Sequence, residues 1–174
     1  SYAEQIINFT FPHVGNVGAN NEDQESDKIW TKGVIINTEI TEPSNYRSLK
    51  HLDKWLKKNK IVGITGIDTR NLTNIIRDKG APKGTISFSK KGKFNIKNLL
   101  SNTQKWSGLK NLDLAEKVST KKAYLWKDLK TWKKEDGFTK NKKKNFHVVA
   151  IDYGIKKNIL RYFSDFNCKV TVVS

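Results

Sequence analysis

Cysteine occurs once in these 174 residues, methionine not at all, and arginine only at positions 47, 70, 77 and 161. Each scarcity excludes something. With Cys168 alone there is no internal disulfide and no cysteine-based metal cluster. No apolar run approaches the ~20 residues needed to span a bilayer, and no signal-peptide pattern is present, so the cytoplasm is the expected compartment and no membrane partner is expected. The net charge of +16 invites a nucleic-acid reading. Specific base or phosphate recognition, however, favours arginine's bidentate fork, and here nearly all cations are lysines. They are scattered over every segment among asparagine and isoleucine, a composition typical of A/T-rich genomes, with lysine filling solvated positions. No nucleic-acid partner is expected. The alternative, a basic nucleic-acid-binding module, requires association that weakens steeply with salt.

With 36% hydrophobic and 10% aromatic residues a packed core is feasible, and the length suits one domain and part of another. Ile6, Ile7 and Phe9 suit a half-buried strand. Pro12, Gly15, Gly18 and a run of Asn, Asp and Ser then impose a long loop, and segments of that length are usually functional or disordered. Residues 30–40 return to a strand around Val34-Ile35-Ile36. From Ser48 the spacing turns helical, with Leu49, Leu52, Trp55 and Leu56 on one face and lysines opposite. A short apolar strand follows at 61–64.

The best-specified element comes next. Asp68 or Thr69 caps a helix, Leu72, Ile75 and Ile76 share a face, Arg77 and Lys79 sit at its carboxyl end, and Gly80 with Pro82 stops it. Residues 85–88 read as a strand, and 94–117 hold an amphipathic stretch (Phe94, Ile96, Leu99, Leu100) and the turn-rich WSGLKNLDLAEK. Residues 118–145 are polar, lysine-rich and poorly periodic, with runs at Lys121-Lys122 and Lys142-Lys143-Lys144. They are expected to be a linker whose aromatics, Tyr124, Trp126 and Trp132 among them, pack on a neighbouring domain.

Residues 146–174 read as strand, tight turn, helix and strand: FHVVAIDYG, IKKNILRYFSDF, CKVTVVS. This is one βαβ unit. A parallel sheet requires several paired strands with helices on both faces. The expectation is therefore an internal piece of a larger protein, with the sheet unfinished at Ser174 and no initiator residue before Ser1-Tyr2.

Candidate sites are sparse. His13, His51 and His147 have no second ligand at metal-binding spacing, so no metal site is expected. His147 suits packing, whereas His13 lies in the glycine-containing loop, where function concentrates. Cys168 leads into an apolar strand with no activating base beside it and suits burial rather than nucleophilic catalysis. Gly154 occupies a strand-to-helix turn, but neither G-x-G-x-x-G nor G-x-x-x-x-G-K-[ST] is present. Gly15 and Gly18 precede no helix that would present its N-terminus to a phosphate. No catalytic residues are assigned.

Four segments together resemble the small (glutaminase) subunit of carbamoyl-phosphate synthetase: SYAEQIINFTFPHVGNVGANNEDQES at 1–26, IVGITGIDTRNLTNIIRDKGAPKGTIS at 61–87, LDLAEKVST at 112–120 and FHVVAIDYGIKKNILRYF at 146–163. The resemblance implies an α/β protein. Its N-terminal β/β/α (swivelling-type) domain would occupy 1–117, a linker 118–145, and the opening βαβ of a flavodoxin-like class I glutamine amidotransferase domain 146–174. It implies that the complete subunit hydrolyses glutamine and passes ammonia to a large subunit for carbamoyl phosphate synthesis, feeding arginine and pyrimidine formation. No cofactor is implied on this subunit, ATP and magnesium belonging to the large one. The family's catalytic Cys, His and Glu motifs do not match any segment of this sequence, so the piece alone is expected to be inactive. Ser1-Tyr2 matches the second half of the family's D-P-S-Y motif, which implies a glutamine contact from Ser1. A stand-alone scaffold using 1–117 to bind partners is the remaining alternative.

Overall fold

A computed structural model describes residues 2–140 and 144–174. The fold is mixed α/β, with three small sheets and five helices among the described residues. It divides into two units. One comprises Tyr2–Asn21 with Trp30–Leu112, and the other includes Glu22–Ile29 with Asp113–Ser174.

In the first unit β1 (Ile6–Asn8), β2 (Gly33–Ile35) and β3 (Val62–Ile64) form a parallel sheet in sequence order. Helix α1 (Leu52–Lys58) packs its apolar stripe on this sheet. Val34, Ile36 and Leu56 are buried together, with Val14, Ile40, Leu52, Trp55 and Ile61 packed around them. His51 caps α1: its Nδ1 accepts from the Asp53 amide at 3.1 Å. Helix α2 (Thr69–Lys79) starts where the sequence places it. The Asp68 carboxylate accepts from the Asn71 amide at 2.9 Å, and Gly80 ends the helix with a φ of 81°, a left-handed conformation that glycine tolerates. Asn8 ties β1 to α2, donating to Thr69 O and Thr73 Oγ1, each at 2.8 Å. Helix α3 (Ile96–Lys105) follows.

The strand expected at 85–88 is not formed. Side chains hold this segment instead of a ladder. The Thr85 and Thr103 hydroxyls bond at 2.6 Å, and Ile86 lies over Gly33, in the space that a Cβ there would need.

The second unit is built on β7 (Phe146–Ile151), α5 (Lys157–Asp165) and β8 (Cys168–Val173). The two strands pair in parallel through all six positions, from Phe146 opposite Cys168 to Ile151 opposite Val173. Alternation sends Val170 and Val172 to the α5 face, where they meet Leu160; all three are fully buried, and Trp126, Ala150 and Ile155 pack around them. The opposite face is open, leaving Val149 and Ile151 more than half exposed.

Residues 118–145, expected as a linker, contain regular structure. After α4 (Leu114–Val118), β4 (Tyr124–Trp126) joins β8 antiparallel, giving the order β4-β8-β7. Strands β5 (Asp128–Lys133) and β6 (Gly137–Lys140) form a hairpin with Trp132 opposite Phe138. The hairpin is bonded to α5: the Lys130 amide donates to Asp165 Oδ1 at 3.0 Å, and Lys130 Nζ contacts the Tyr162 hydroxyl. Lys142 and Lys143 of the expected lysine run lie outside the described residues.

Candidate functional site

In parallel α/β architectures ligands gather at the carboxyl ends of strands, where the βα turns lie. Here that place is the turn after β7, Asp152-Tyr153-Gly154-Ile155, and Asp152 is its hub. Its side chain is buried, and Oδ1 accepts from the Gly154 and Ile155 amides at 2.8 and 2.9 Å. Oδ2 accepts from the Thr120 amide at 2.7 Å, and its main chain is held by Val173 O and the Ser119 hydroxyl. Gly154 has a φ of 88°, which lets the chain reverse tightly enough for both turn amides to reach one oxygen. A carboxylate with both oxygens engaged, by three backbone amides in all, is arranged to order a turn rather than to take up a proton as a general base. An Asp two residues before a glycine is the local signal for such a turn, and sequence reading passed over it in favour of Gly154.

The α5 N-terminus lies just beyond. Its cap position, Lys156, makes no side-chain capping bond. The first free amides are met instead by Glu25, whose main-chain oxygen accepts from the Lys157 amide at 3.1 Å and whose Oε2 accepts from the Asn158 amide at 2.8 Å.

The protonation of Tyr124 in β4 is displaced. Burial, then the charges of Asp152 and Asp27, raise its phenol above the ordinary value of 10.0. The folded state therefore holds the proton more tightly than the unfolded chain. The associated stability is complete below pH 10 and is lost as pH rises through the folded value. The difference in tyrosinate absorbance between the native protein and Tyr124→Phe should have a midpoint above 10; a midpoint at or below 10 contradicts this.

The residues singled out in the sequence do not converge. Ser1 lies outside the described residues. His13 stacks edge-on to Phe11 at 6.3 Å, His147 Nε2 bonds Thr171 Oγ1 at 2.9 Å across β7 and β8, and His51 is a helix cap. Cys168 is half-buried, with its sulfur 3.7 Å from Phe166 O. Gly15 and Gly18 close a turn, the Gly18 amide donating to Gly15 O at 2.8 Å. Among the described residues no group of three His, Cys, Asp or Glu is placed to hold a metal, and no helix is long and apolar enough to cross a membrane.

Comparison with known proteins supplies the class that this geometry leaves open. A family model described as the carbamoyl-phosphate synthase small chain, CPSase domain, matches residues 1–86. The carbamoyl phosphate synthase small chain of Bradyrhizobium diazoefficiens is 49% identical over 177 residues, covering 99% of this chain and 44% of that protein. That of Bartonella henselae is 50% identical over 179 residues, covering 99% and 44%, and that of Zymomonas mobilis 47% over 174 residues, covering 99% and 46%. Along 99% of its length the chain is thus similar to carbamoyl-phosphate synthase small chains, and its first half matches that family's model. It spans less than half the length of these relatives.

Proposed function

We propose that this chain is part of the glutamine-hydrolysing small subunit of a carbamoyl-phosphate synthetase. The observation that carries the reading is identity near 50% sustained along 99% of the chain to proteins of that name. In this reading residues 1–117 are the N-terminal β/β/α domain, 118–145 connect it onward, and 146–174 open the flavodoxin-like glutamine amidotransferase domain. The parallel β7–α5–β8 unit, with one face of its sheet open, is the architecture such an opening requires.

The complete subunit cleaves glutamine to glutamate and ammonia and delivers the ammonia to a large subunit, where ATP and magnesium support carbamoyl phosphate synthesis for arginine and pyrimidine formation. No cofactor is assigned to the small subunit itself. In this reading Cys168 is not the nucleophile, since it runs into β8 rather than standing on a strand–helix elbow. The 174-residue chain alone is inactive in this account.

Ser1 takes the role of a glutamine contact in the complete subunit, where a hydroxyl and a backbone amide can both meet the polar end of an amino acid. Ser1→Ala in the full-length gene product should raise the KM for glutamine several-fold with little change in kcat, as expected for the loss of one hydrogen bond to bound substrate. An unchanged KM removes Ser1 from the site. Failure of the full-length product to release glutamate from glutamine removes the whole reading.

A further inference from the structure

Residues Glu22–Ile29 have no regular secondary structure and contribute nothing to the buried cluster of Leu160, Val170 and Val172, yet they meet α5 at its most polar point. Beyond Glu25's two bonds to the first-turn amides, its other carboxylate oxygen faces Arg161 at 3.6 Å. Arg161 follows Asn158 by three positions, so its guanidinium and the Asn158 amide lie on one side of the helix and converge on one carboxylate. The guanidinium is almost completely buried, with the Phe138 ring 3.8 Å beneath it, and Glu25 is the carboxylate paired with it. Two residues on, Asp27 pairs with Lys157 Nζ at 2.6 Å. Charged groups thus face each other from both elements: Glu25 and Asp27 on the segment, Lys157 and Arg161 on the helix.

We propose that Glu22–Ile29 is a releasable strap. It caps α5 from 133 positions away in sequence and detaches from the helix while the β4-β8-β7 sheet stays folded. The contacts that Glu25 and Asp27 make with α5 are polar, and every residue of the segment is exposed or half-buried, so detachment uncovers little apolar surface. It does uncover two helix amides and a buried cation, which is what holds the strap closed at ordinary ionic strength. Such a strap responds to salt and to loss of the Glu25 charge, whereas the apolar core beneath it does not.

Amide hydrogen exchange on the full 174-residue chain tests this, with the β8 amides as internal reference. Glu25→Ala should speed exchange of the 22–29 amides and of Lys157 and Asn158 by about tenfold, the effect of losing a helix cap, and leave β8 unchanged. Glu25→Gln, which keeps an acceptor and loses the charge, should fall between. Rising sodium chloride should accelerate the same amides in the native chain. Unchanged exchange in the 22–29 segment of the alanine variant overturns the proposal, as does β8 exchange rising in parallel. Should the alanine variant fail to fold, the salt series on the native chain decides: separate acceleration of the strap supports it, and joint acceleration with β8 overturns it.

Discussion

Leu160→Ala should lower the stability of the β7–α5–β8 unit by about 2–5 kcal/mol, the range for truncating a fully buried leucine in a core that relaxes only partly. Leu160 is completely buried between α5 and the sheet, where it meets Val170 and Val172. Alanine removes both the transfer free energy of the lost methyl and methylene groups and their packing contacts. The adjacent Ile159 is nearly half exposed, so Ile159→Ala should cost less than about 1 kcal/mol. Urea midpoints with unchanged slopes would measure both. Near-equal costs for the two variants would place the core of this unit elsewhere.

Asp152→Ala should be comparably severe, at about 3–5 kcal/mol. It strips the acceptor from the amides of Gly154, Ile155 and Thr120, and each buried donor left without a partner costs about 1–3 kcal/mol. Water reaching the half-buried turn keeps the sum below the upper limit. Asp152→Asn retains one carbonyl oxygen but turns an amino group toward a donor, and should cost about 1–2 kcal/mol. The two variants separate an acceptor role from a charge role. If alanine costs under about 1 kcal/mol, the turn amides are solvated and Asp152 is not the hub.

Both substitutions act on a unit whose central part was legible from residues alone. The apolar runs at 146–151 and 170–173 flank a polar turn and an amphipathic helix, and the observed ladder joins them in parallel. Helix α2 was equally readable, because Asp68, Gly80 and Pro82 are local signals that act where they stand. The β5–β6 hairpin was not. Lysines at 130, 133, 134 and 140 and the acidic pair at 135–136 blur the alternation, although Asp136-Gly137 is a hairpin signal. Its stability comes from contacts outside itself, with Asp165, Tyr162 and Arg161 of α5. The failure at 85–88 has the opposite cause: β propensity was present, but no ladder partner was, and side-chain contacts fixed the segment.

For the site, Gly154 was visible and Asp152 was overlooked, though the Asx-type spacing was there to read. Glu25 and Arg161 lay beyond local reasoning, since they meet only after folding. Arg161 did carry a faint signal as one of four arginines, set among apolar helix residues. The family reading came from motif order along the chain, and the assignment of Ser1 still rests on that resemblance.

We propose that this sequence is part of the ammonia-supplying half of a two-subunit synthetase. The most direct measurement is carbamoyl phosphate formation by the full-length gene product combined with a synthetase large subunit, using glutamine or free ammonia as nitrogen source. The account predicts that glutamine supports synthesis only when the small subunit is present, with ammonia supporting it in either case. Glutamine-driven synthesis that is indifferent to the small subunit, or no glutamine-driven synthesis from the reconstituted pair, would contradict it.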